Sequence, residues 1–175
     1  MSANTVDGQT LSAGYLVGRI VFGLLMSVHG SQKLFGWFGG HGLRTTGEFM
    51  VQLGFRPGRA FAFAAGLGEF TSGLLIALGF LGPIGPALMI SVMIVAIYTV
   101  LWHNGLLAMT NGIELPLLYI IGAIIFAVVG YGAYSLDAAL GLAWPASLTW
   151  IAIGAGIFGG VANAALRHRN TPAGV

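Results

Sequence analysis

His29 and Lys33 stand four residues apart in the stretch Val28–Gly40, a spacing that sets both on one face of a helix. An imidazole and an ammonium there offer hydrogen-bond donors and an exchangeable proton. His103 followed by Asn104, and Glu114 three residues after Asn111, add a second imidazole and a carboxyl group able to relay protons. Arg19 and Glu69 are more unusual, because each falls inside a long apolar run. Other chemistries find little support. There is no cysteine, no His-x-x-x-His and no Glu-x-x-His, so no metal site is expected. Gly39-Gly40-His41-Gly42 has neither the spacing nor the preceding strand of a phosphate loop. Ser135 has no base near it in sequence, and Tyr134-Ser135-Leu136-Asp137 reads as a helix cap. His41 and His168 read as solvated.

The elements that must position these groups lie in lipid. Of 175 residues, 57% are hydrophobic and 7% charged, against about 25% charged in a soluble domain. Too few polar groups remain to cover a water-facing surface. A net charge of +2 is too small and too scattered for a nucleic-acid footprint. The 29 glycines suit close helix packing in lipid. Met1–Thr10 has no Lys or Arg and so lacks the positive region of a signal peptide; the apolar run after it reads as a retained helix. Gly14-x-x-x-Gly18 and Gly156-x-x-x-Gly160 offer helix-contact faces, internal or between copies in a homo-oligomer.

Five segments approach the roughly 20 residues needed to cross a hydrocarbon core of about 30 Å. They run from about Leu11 to Leu34, Ala60 to Phe80, Pro83 to Trp102, Ile113 to Val129 and Leu148 to Leu166. The last is the weakest, because Thr149 and Asn163 interrupt it. The expected fold is all-α: a polytopic transmembrane bundle of four core spans plus a fifth, C-terminal span. Residues 1–175 read as one integral membrane domain, with 1–10 a tail, 36–59 a long first loop and 170–175 a disordered tail. Within that loop Gly47–Leu53 suggests a short interfacial helix. Lys33, Arg44, Arg56 and Arg59 flank or fill the first loop, and Arg167 and Arg169 lie near the C-terminus. The positive-inside tendency then sets the N-terminus outside and the C-terminus in the cytoplasm.

Counted along these spans, Arg19 lies about 12 Å from the outer end of the first and Glu69 about 13–14 Å from the inner end of the second. Two charges at nearly one depth on neighbouring antiparallel helices predict an Arg19–Glu69 ion pair, either a structural brace or part of a cavity wall. The same topology brings His29, Lys33, His103 and Glu114 to the inner interface. Plainer roles stand beside this one. Lys33 can snorkel to headgroups, Trp102 and His103 can form an interfacial belt, and Glu114 can complement a helix N-terminus.

With these residues in hand, the chain resembles the DoxX family of small bacterial membrane proteins. The matching pieces are His29-Gly30-Ser31-Gln32-Lys33-Leu34-Phe35-Gly36 with Gly39-Gly40, Gly68-Glu69, Asn111-Gly112-Ile113-Glu114-Leu115 and Tyr134-Ser135-Leu136-Asp137. Their order covers roughly residues 11–142. The family usually has four spans, so a fifth is an addition here. The resemblance implies an inner-membrane protein, with some relatives forming the membrane part of thiosulfate:quinone oxidoreductase and others partnering redox-defence enzymes. On that footing the expected cofactor is a quinone. His29 or His103 would donate to a quinone oxygen, Glu114 would relay protons, Lys33 would bind, Phe35, Trp37 and Trp102 would form the apolar wall, and Arg19–Glu69 would support the cavity. A soluble redox protein or a second membrane subunit would be the partner. The alternatives are a non-catalytic anchor for a soluble redox enzyme, with the first loop as docking surface, and a small-solute carrier or channel.

Overall fold

The computed structural model describes residues 7–167. His168, Arg169 and the expected tail 170–175 lie outside the described residues, as do residues 1–6. All regular elements among the described residues are helical. They are α1 (Gly8–Leu34), α2 (Gly42–Gln52), α3 (Gly58–Leu78), α4 (Ile84–Ala96), α5 (Glu114–Val129), α6 (Leu136–Ala139) and α7 (Ala146–Ala165). α4 continues through a π-helical turn, Ile97–Leu101, and a 3-10 turn, Trp102–Asn104.

Local chemistry explains the boundaries. Asp7 caps α1 by accepting the Thr10 N–H at 2.8 Å, so the helix starts before the apolar run does. α3 stops at Gly79, whose φ of +64° is the left-handed conformation that glycine supplies at a helix end. The Phe80 N–H returns to the Leu75 carbonyl at 2.9 Å and closes that cap. Ser135 caps α6, accepting the Ala138 N–H at 3.2 Å, as the Tyr134–Asp137 reading expected.

Four helices are long and apolar enough to cross a membrane: α1, α3, α4 with its extension to Asn104, and α7. The C-terminal segment expected to be weakest is thus a 20-residue helix. The short one is α5, which has 16 residues and a length of about 24 Å. Thr149 and Asn163 do not interrupt α7, because helical backbone satisfies itself in lipid whatever single side chains it carries.

α1 packs mainly on α3, α3 on α4, and α4 on both α5 and α7, while α2 lies against α3. Backbone contact sets the α1–α3 register. A Cβ at Gly23 would overlap the Gly73 carbonyl oxygen, and one at Gly73 would overlap that of Gly23. One turn pair further along, a Cβ at Gly30 would come within 2.6 Å of the Gly66 oxygen. Only glycine allows so close an approach. Gly156 and Gly160 do the same for α7, whose added Cβ atoms would lie 2.5 Å from the Ala87 oxygen and 2.8 Å from the Ser91 oxygen of α4. That glycine pair is therefore an internal contact. Gly14 has nothing within 4 Å. The core between these helices holds Met26, Ile76, Met89, Ile90, Tyr119 and Ile153. Outward faces are apolar, with Val17, Leu25, Ile121, Ile157 and Phe158 all exposed, as lipid contact requires.

Candidate functional site

The α1–α3 register decides which charges meet. Arg19 lies level with Ala77, and Glu69 is two turns, about 12 Å, along the axis from there. The expected Arg19–Glu69 pair does not form. Glu69, 4% exposed, instead takes the Lys33 ammonium on both carboxylate oxygens. Arg19, 2% exposed, donates to the carbonyls of Ala77 and Tyr134. Ala77 is in the last turn of α3, where the helix dipole presents negative charge. The guanidinium thus braces the end of α3 against the loop before α6.

That end of the bundle is a polar knot. The Asp137 carboxylate accepts the N–H groups of Leu81 at 2.9 Å and Gly82 at 2.7 Å, and the Trp144 indole N–H at 2.8 Å. The Tyr131 hydroxyl donates to the Gly82 carbonyl at 2.8 Å. Burial, with the Asp137 charge adding to it, pushes the Tyr131 phenol well above its ordinary value, so it remains a donor. A cavity of about 380 Å³ adjoins the knot, but Asp137, Tyr131 and Ser135 are all committed to backbone there.

The Lys33 end differs. Beside the ion pair lies an apolar cavity of about 370 Å³, in the size range of small-molecule sites, walled by Phe49, Phe55, Phe61, Val92, Val95 and Val100. Its few polar groups are Lys33, Thr46, Glu69, Ser91, Thr99 and Asn163. The π-helical turn contributes Thr99, Val100 and Leu101 to its wall, and such turns recur at functional sites. On the other side of Lys33, Thr46 and Phe49 lies a polar cavity of about 590 Å³, lined by His29, Gln32, His41, Thr45, Glu48 and Gln52 among others. Lys33 therefore borders both spaces.

The sequence-predicted residues divide accordingly. His29, Lys33 and Glu69 come together around the two cavities. His29 also stands edge-on to Tyr119, with ring centroids 6.3 Å apart. Phe35 and Trp37 stack on one another at 4.7 Å but are exposed and line neither cavity. Trp102 is 63% exposed, and His103 lies exposed in the same 3-10 turn. Glu114 accepts the Ala108 N–H at 2.7 Å and closes the loop 104–114, where Asn104 and Thr110 are also bonded to each other's neighbourhood. Neither His103 nor Glu114 reaches the apolar cavity. Its aromatic wall comes from Phe49, Phe55 and Phe61 instead. Ala64, Ala65 and Gly68, small residues on one face of α3 that leave room beside Glu69, were the signal that could have found it.

Long apolar helices in contact, with charges inside them, make this a multi-pass membrane helix bundle. Residues 14–102, 89 of the 175, match the DoxX family, and the chain belongs to that family. The match takes in α1 to α4 and the Lys33–Glu69 pair; it stops short of the Asn111–Leu115 and Tyr134–Asp137 pieces. No match is found among curated proteins or solved structures.

Proposed function

We propose that this chain is the quinone-binding membrane component of a redox system, with the apolar cavity as the ring site. The observation that supports this reading is an ammonium–carboxylate pair, its carboxylate buried, at the wall of a mostly apolar space. Quinone reduction takes two electrons and two protons. This chain, which has no cysteine, relies on a soluble redox protein or a second membrane subunit for the electrons. Its own residues supply binding and protons. Lys33 donates a hydrogen bond to one ring oxygen, and Glu69 holds the ammonium in place and exchanges protons through it. The polar cavity with His29 and His41 connects Lys33 to water. With the first-loop arginines on the cytoplasmic side of the inner membrane, that water is cytoplasmic.

The test is binding of a short-chain quinone to purified protein, read by thermal shift. Lys33→Met with Glu69→Gln removes both charges together and strands neither. The double variant should bind about ten- to hundredfold more weakly, as loss of a charge-assisted hydrogen bond of about 1.5–3 kcal/mol requires. Equal binding by the two proteins, or none by the wild type, would sink the reading.

A further inference from the structure

The apolar cavity has polar groups on two sides, and the ion pair accounts for only one. It lies over α4 between α3 and α7, which each pack on α4 but make no extended contact with one another. On the α1–α3 side, Lys33 and Glu69 engage each other. On the α4–α7 side stand Ser91 and Asn163. Thr99 already donates to the Val95 carbonyl at 2.7 Å. Asn163 is the one residue that α7 contributes to the lining, and no hydrogen bond engages its amide or the Ser91 hydroxyl among the described residues. Asn163 is half-buried in the last turn of α7, and its amide, facing the cavity, is free to bond to what enters.

We infer that Asn163, with Ser91 beside it, is the second polar contact of the cavity, holding the far oxygen of a ring ligand with oxygen at two opposite positions. This rests on the quinone reading above, in which Lys33 takes the near oxygen. An asparagine amide suits both oxidation states, because its N–H donates to a carbonyl and its C=O accepts from a hydroxyl. α7 lies beyond the residues that match the family, so the family match does not carry this contact.

The test compares two probes on the whole chain in detergent: a short-chain para-benzoquinone and an analogue with one ring oxygen and the same tail. Asn163→Leu keeps the shape and removes the amide. It should bind the quinone about five- to tenfold more weakly, the loss of one neutral hydrogen bond, and bind the one-oxygen analogue as the wild type does. Ser91→Ala should show a smaller loss in the same direction. Should Asn163→Leu fail to fold, Asn163→Ala, which only shortens the side chain, is judged by the same two probes. Quinone binding unchanged by either Asn163 variant would overturn the inference and leave the quinone reading standing. Equal losses for both probes would mean that Asn163 only shapes the cavity, and would overturn it too. A wild type that binds neither probe would overturn both.

Discussion

α1 carries two cations, Arg19 buried near its middle and Lys33 half-buried in its last turn, and the two are treated in opposite ways. Arg19 meets backbone carbonyls, and the nearby Asp137 meets backbone amides and an indole. The two charges satisfy the chain around them without pairing with one another. Lys33 meets a carboxylate directly, with an empty space on either side. A charge consumed by backbone fixes where segments end and join. Arg19 makes its bonds through the two terminal nitrogens, and its buried Nε–H has no partner among the described residues. A side-chain pair at a cavity wall can rearrange when something enters, because each partner stabilises the other only until a better one arrives. The difference sets a structural knot at one end of the bundle and, in the reading proposed above, the ligand site at the other.

The largest effect should come from breaking the architectural end. Asp137→Ala leaves three half-buried donors without an acceptor, the amides of Leu81 and Gly82 and the Trp144 indole. Hydrogen bonds to a charged acceptor contribute about 1.5–3 kcal/mol each, and because these three are only half-buried a loss near the lower end of their sum, about 4–6 kcal/mol, is expected, measured by thermal unfolding in detergent. Protein that survives should bind quinone normally, since the knot and the apolar cavity share no residue. A stable Asp137→Ala protein would erase the contrast between the two ends.

At the other end the losses should be smaller and unequal. Lys33→Met strands a buried carboxylate and should cost about 3 kcal/mol. Glu69→Gln should cost less, because the Lys33 side chain keeps 31% of its exposure and its ammonium can turn to the polar cavity. The double variant should recover most of the larger loss. Strictly additive losses in the cycle would deny contact between the two. Arg19→Met combined with Glu69→Gln should be additive to within about 0.5 kcal/mol, as distant sites are.

The helices were legible in the sequence because lipid demands long apolar runs, and Lys33 and Glu69 were both singled out. Their partnership was not legible. Depth counted from the ends of apolar runs assumes that neighbouring spans start level. They do not: α1 overhangs α3, so that Tyr15 reaches Gly132, whose added Cβ would sit 3.3 Å from the Tyr15 Cβ. The information was present in another form. Gly23 and Gly30 are spaced seven apart, as are Gly66 and Gly73, and matching the two pairs antiparallel gives the observed register. The C-terminal span expected from the sequence is present, and its mean hydropathy is the lowest of the four long apolar helices. Asn163 looked like a flaw in a span, and its role as a cavity wall depends on a neighbour, α3, that α7 does not touch extensively.

The smallest effects sharpen the comparison from outside both ends. His103 and Glu114 are expected beside Lys33, and the structure puts them at the two ends of the loop 104–114, His103 exposed and Glu114 bonded to the Ala108 N–H. Glu114→Gln keeps an acceptor for the Ala108 N–H and gives up only charge assistance and the favourable interaction with the α5 dipole, together about 1 kcal/mol or less. His103→Ala removes an exposed side chain and should change stability by no more than about 0.5 kcal/mol. Neither should alter quinone affinity, because neither residue lines the apolar cavity. The measurement is the thermal-shift titration used for the Lys33–Glu69 double variant. A fivefold or greater loss of affinity in Glu114→Gln would mean that the loop 104–114 folds over the bound ligand. The working end of the bundle would then reach from α1 to the start of α5, and two charged sites rather than one would stand against the knot at Asp137.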